Sequence, residues 1–105
     1  MVNYKDLSTE DQDRLDAASF RRFLDHLAIN TDVQNIDLMI LADFCRNCLS
    51  KWYKAAADDA GLDVSMDEAK ERIYGMSYTE WKSLYQKEAT TEQMAAFKAR
   101  RGNKG

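Results

Sequence analysis

Cys45 and Cys48 are the residues whose type and spacing come nearest to chemistry. In Cys45-Arg-Asn-Cys48 the two thiols sit at i and i+3, and on a helix such positions share a face. A pair so placed can hold one metal ion, zinc or iron being the metals such ligands take, or can work as a redox couple. The same two residues also serve as small hydrophobes in a core. On a continuous helix their angular neighbours are Leu41, Leu49 and Trp52, an apolar wall that raises a thiol pKa. A position inside a helix also lacks the positive helix start that activates redox pairs. Core packing is therefore the expectation, with metal binding or thiol redox chemistry as the alternative, and no cofactor is called for.

His26 is the only histidine, so any His-Cys-Cys site must use it. If the first two helices form a hairpin near Asn30, His26 lies beside Gln34. Cys45 is then eleven residues further on, about 16 Å at ~1.5 Å per residue. Such a site would need two chains, as would a four-thiolate site built from two Cys45/Cys48 pairs. Asp37 falls among apolar neighbours, Leu41 and Phe44, where an unpaired carboxylate is costly. Pairing with Arg21, Arg22 or His26 is expected, and an Asp37–His26 pair could do acid–base work. Asn35, Asp43, Arg46, Asn47 and Ser50 gather on the polar side of the same segment, as a solvated face or a recognition surface.

Several functions are disfavoured. A phosphate loop, a GxSxG elbow and an HExxH pair are all missing, so the balance leans away from an enzyme. The formal net charge is −3, with 15 Lys+Arg against 18 Asp+Glu, which argues against nucleic acid as the partner. Tyr74, Tyr78, Trp81 and Tyr85 step at near-helical spacing but with Glu71 and Glu80 among them, a pattern of core and rim rather than of a base-stacking platform. No apolar run reaches the ~18 residues of a membrane span. Met1 to Glu10 is polar and acidic, unlike a secretory signal. Two cysteines without such a signal suggest free thiols in a reducing cytoplasm.

The elements that must position these residues are helices. The chain has no Pro and 4 Gly, which suits long helices and few turns. Capping-box spacings, Ser/Thr followed three residues later by Glu/Gln, occur at Thr9–Gln12, Thr31–Gln34, Ser65–Glu68, Ser77–Glu80 and Thr90–Gln93. They divide the chain into about five helices. The first runs from Thr9 to about Ala28, with Phe20, Phe23, Leu24 and Leu27 as its buried stripe. The second runs from about Asp32 to Ala60 and is closed by Gly61 in the left-handed conformation with Leu62 folding back. The third stops at Gly75, and the last two open at Ser77 and Thr90.

The second helix would be a rod of about 42 Å at ~1.5 Å per residue, against a radius of gyration of ~13 Å for a 100-residue domain. Ile36, Met39 and Ile40 extend its apolar surface toward the polar side. A helix apolar nearly all round needs cover on every side, and a second copy across a two-fold axis would supply it. The expected architecture is an all-α single domain over residues 1–99, with a flexible polar, basic tail over 100–105, forming a homodimer.

The run Asp32-Val-Gln-Asn-Ile-Asp-Leu-Met, then Phe44-Cys-Arg-Asn-Cys-Leu-Ser-Lys-Trp-Tyr53, and the later stretch Glu71-Arg-Ile-Tyr-Gly-Met-Ser-Tyr-Thr-Glu-Trp-Lys82 resemble a known family. It comprises short, mainly proteobacterial proteins catalogued as domain of unknown function 1244. The resemblance spans about Phe20 to Gln93 and implies an all-helical, stand-alone bacterial protein. It brings no activity, substrate or cofactor. This chain departs from the family's pattern at Ser77, where many relatives have Pro, and at Ile40 and Asp43, which replace an Asn and a Gly. The function these features point to is that of a non-enzymatic module that binds a protein or small ligand through the 32–54 segment as a homodimer. The alternatives are a metal or thiol-redox protein at Cys45/Cys48, or an acid–base enzyme at His26 and Asp37.

Overall fold

Most of the helices start where a Ser or Thr hydroxyl can take up backbone amides that have no carbonyl one turn back. The computed structural model describes residues 3–104 and contains α-helices, one 3₁₀ turn and, among the described residues, no strand. The chain divides into two compact units, Met1–Asn30 and Thr31–Gly105. No linker composition marks that boundary in the sequence.

The first unit holds the 3₁₀ turn Tyr4–Asp6 and the helix α1, Thr9–Ile29. The α1 cap is Ser8, one residue before the expected Thr9. Its hydroxyl accepts from Asp11 N–H at 3.1 Å, while Gln12 Nε2 donates to the Leu7 carbonyl at 2.8 Å. Leu24 and Leu27 are buried, as the stripe requires. Asn30 closes the helix by donating from Nδ2 to the His26 carbonyl.

The second unit contains α2 (Asn35–Ala42), α3 (Arg46–Asp59), α4 (Met66–Tyr74), α5 (Tyr78–Tyr85) and α6 (Thr91–Lys104). The expected long helix over 32–60 is therefore two helices, and about five helices become six. The break is made by backbone conformation. Asp43 is left-handed at φ 59° and Cys45 is extended at φ −151°. Asp is among the few side chains that enter the left-handed region readily. The first turn of α3 then finds an acceptor elsewhere: Arg46 N–H donates to Asn35 Oδ1 at 3.2 Å. One side chain from the start of α2 thus caps the start of α3. The 42 Å rod gives way to pieces of about 12 and 21 Å at ~1.5 Å per residue. The expectation of a twin rested on that rod and loses this support. Within α2 only Leu38 is buried, and Leu41 is 75 % exposed.

The remaining boundaries follow the local rules. Gly61 has φ 73°, and Leu62 N–H returns to the Ala57 carbonyl at 2.8 Å while Gly61 N–H reaches that of Asp58 at 3.1 Å. This pair of bonds is the Schellman closure. Ser65 and Glu68 cap each other's amides, as do Thr90 and Gln93. Gly75 ends α4 at φ 77°. The principal packing partners are α3 with α4, α4 with α5, and α2 with α6. Leu38, Leu49, Ala57, Ala69, Ile73, Tyr74 and Trp81 form the core. The last helix continues to Lys104, through the basic end of the chain.

Candidate functional site

The break between α2 and α3 determines what the cysteines are. Cys45 is the N-cap of α3, and Cys48 lies in its first turn. Both thiols are free, and their sulfurs are 3.7 Å apart. The dithiol therefore stands at the positive start of a 14-residue helix rather than in the middle of one, as a continuous 32–60 helix would have placed it. Cys45 is buried, at 9 % exposed, and Cys48 is half-buried. Burial pushes the Cys45 thiol above its ordinary value of 9.0. The helix-start amides of Cys48 and Asn47 favour its thiolate but are outweighed. Desolvation wins over the helix start at this sulfur.

The two residues between the cysteines anchor the turn. Arg46 is 2 % exposed. Its guanidinium donates to the Val33 carbonyl at 2.8 Å and to Asn35 Oδ1 at 3.1 Å, and it lies 4.7 Å from the centroid of the Trp81 ring. A planar fork that both hydrogen-bonds and stacks suits this position in a way an ammonium does not. Ser50 Oγ, fully buried, donates to the Arg46 carbonyl at 3.0 Å. Asn47 Oδ1 accepts from the Tyr74 hydroxyl at 2.7 Å, and that oxygen accepts in turn from Asn35 Nδ2 at 3.0 Å. Burial raises the Tyr74 phenol well above its ordinary value of 10.0, so it stays a neutral donor. Asn35, Arg46, Asn47 and Tyr74 are thus one hydrogen-bonded network beside the thiols.

The polar side anticipated as exposed is largely internal. Arg46 and Ser50 are buried, and Asn35, Asp43 and Asn47 are half-buried. What remains open is a cavity of about 320 Å³ lined by Asn35, Asn47 and Tyr78 together with the irregular 86–89 segment. That segment is held from within by Gln34, whose Nε2 donates to the Tyr85 carbonyl and whose Oε1 accepts from Lys87 N–H. Tyr74 and Trp81 are core residues with ring centroids 5.0 Å apart, and Tyr78 and Tyr85 flank them.

Asp37 has a structural task. Its carboxylate accepts from Gln34 N–H at 2.9 Å, closing the start of α2, and from Gln93 Nε2 at 2.8 Å, tying α2 to α6. Two amides of its own unit stand where a base was expected. His26 is exposed on the last turn of α1, in the first unit, whereas Asp37, Cys45 and Cys48 belong to the second. Among the described residues no group of three or more His, Cys, Asp or Glu is gathered as a metal site needs. Sequence periodicity missed the Tyr74 link to Asn35 and Asn47 and the bracing by Gln34 and Gln93. These bonds join residues 27 to 56 positions apart, a separation that no local pattern encodes.

A family model described as "Protein of unknown function (DUF1244)" matches residues 33–99, a span that takes in both cysteines and the whole network. No curated protein matches the chain. Among the described residues, no helix is long and apolar enough to cross a membrane.

Proposed function

The chain belongs to the DUF1244 family of proteins of unknown function, and we propose that it acts as a thiol–disulfide protein whose reactive pair is Cys45 and Cys48. The observation that carries this reading is the sulfur separation of 3.7 Å on the opening turn of α3. Small side-chain rotations bring two thiols so placed to the ~2.05 Å bond of a disulfide. The chemistry is an exchange with a disulfide RSSR. The Cys45 and Cys48 thiols become one intramolecular disulfide, and RSSR is reduced to two RSH. The anchored Arg46 and Asn47 supply the rigid support that a reactive pair needs. In a cytoplasmic setting the dithiol is the resting form.

Incubation of the full chain with oxidised glutathione tests this. Closure removes two hydrogens from the mass and both titratable thiols, and dithiothreitol restores them. Two persistent thiols, or a lasting glutathione adduct with no internal disulfide, would rule the reading out.

A second reading, a homodimeric binding module, is favoured by the large apolar side chains that the second unit leaves in solvent. Leu41, Trp52, Leu62 and Leu84 are each at least 60 % exposed. Exposed apolar side chains of this size are the material of partner-binding faces. Light scattering at micromolar concentration supports this reading at twice the chain mass and refutes the homodimer at the mass of one chain.

A further inference from the structure

The two thiols are not equivalent, and their inequality sets an order of events. Resting on the thiol–disulfide reading, we infer that Cys48 attacks the incoming disulfide and that Cys45 resolves the resulting mixed disulfide. An attacking sulfur must meet the incoming S–S bond end-on, which requires an open approach. Cys48 is half-buried on the helix surface, and one turn further along α3 the Trp52 ring is 60 % exposed. That places an uncovered apolar surface beside its sulfur. Cys45 is buried, at 9 % exposed, and is the less open of the two to an incoming disulfide.

The helix start argues for the opposite order, because the amides of Asn47 and Cys48 favour a thiolate on Cys45. Burial is the larger effect and keeps that thiol protonated to higher pH. Access therefore singles out Cys48 as the first nucleophile, and the burial of Cys45 offsets the help its thiolate would get from the helix start.

The steps balance. The Cys48 thiolate attacks one sulfur of RSSR, forming Cys48–S–S–R and expelling RS⁻, which takes up the proton that Cys48 has lost. Cys45, 3.7 Å away, then gives up its proton and attacks the Cys48 sulfur. A second RS⁻ leaves with that proton. The helix-start amides act at this second step, where the Cys45 thiolate forms transiently. A resolving thiol so near makes the mixed disulfide short-lived in the unaltered chain.

The test uses Cys45→Ala, an apolar side chain suited to the buried position, and Cys48→Ser, each treated with oxidised glutathione at pH 8. Cys45→Ala is expected to accumulate one stable adduct on Cys48, at least tenfold faster than Cys48→Ser acquires one on Cys45. Adduct on Cys45 at an equal or greater rate overturns the order, as does no adduct in either variant. Circular dichroism checks that both variants are folded. Rapid acid quenching of the unaltered chain followed by peptide mapping gives a second measurement: an early adduct on Cys48 supports the order, and one on Cys45 refutes it. The two claims fail separately. An unaltered chain that never closes its disulfide removes the redox reading itself, whereas closure through Cys45 removes only the order.

Discussion

At the scale of single residues, Arg46 holds together more of the site than either cysteine does. It is buried, and its guanidinium and backbone together engage Val33, Asn35, Ser50 and Trp81. Removing a buried charged group that others are paired with leaves those partners unsatisfied. Arg46→Ala should therefore cost about 3–4 kcal/mol in urea unfolding. Arg46→Lys should still lose about 1–2 kcal/mol, because an ammonium keeps the charge but not the fork or the stacked plane. A loss below half of a kcal/mol for both would show that the network does not bear on stability. Tyr74 gives a pH dependence. Burial raises its phenol above the ordinary 10.0, and burial raises the Cys45 thiol above 9.0. In each case the unfolded chain releases its proton at lower pH than the folded chain. Above about pH 9 the unfolded state thus binds fewer protons, and stability falls as pH rises. Below that value these two groups impose no slope. Urea midpoints from pH 7 to 11 should show the decline. Tyr74→Phe should flatten its upper part while losing stability at neutral pH, because Asn35 and Asn47 lose their partner.

At the scale of elements, Asp43 governs the break that makes the dithiol turn. Its φ of 59° is the one positive value outside glycine among the described residues. An L side chain in the left-handed region costs roughly 1–2 kcal/mol, and a β-branched one fares worse. Asp43→Val should destabilise the chain by about 2 kcal/mol. Asp43→Gly should stay within about 1 kcal/mol of the unaltered chain, because glycine takes this conformation freely. A harmless Asp43→Val would mean that the strain is absent. Most other helix ends were legible because each is a local transaction: Ser65 with Glu68, Thr90 with Gln93, Gly61 with Leu62, Gly75 alone. The Thr31–Gln34 spacing is an exception, since α2 opens at Asn35 behind Gln34 and Asp37. The break between α2 and α3 was not legible, because no Gly or Pro interrupts Ile36 to Cys45. Its trace in the sequence was indirect. The apolar surface of Ile36, Met39 and Ile40 fits one continuous helix badly.

At the scale of the whole molecule, the cysteines could be found by spacing, but their setting could not. The geometry of the dithiol turn depends on Asn35 capping α3 from eleven residues away, on Tyr74 of α4 bonding to Asn47, and on Trp81 of α5 stacking against Arg46. All of these groups lie in Thr31–Gly105, and residues 33–99 are also the span of the family match. The core residues Leu38, Leu49, Ala57, Ala69, Ile73, Tyr74 and Trp81 belong to it too. A fragment beginning at Thr31 should therefore fold without Met1–Asn30. It should melt cooperatively and keep the near-ultraviolet circular dichroism that packed Tyr74 and Trp81 generate. It should also close its Cys45–Cys48 disulfide within threefold of the full-length rate, since no group assigned to the exchange lies before Thr31. Helical far-ultraviolet signal with no near-ultraviolet signal would mark a molten state, and the first unit would then be required for the second to pack. A folded fragment that closes its disulfide much more slowly would place part of the reactive site within Met1–Asn30.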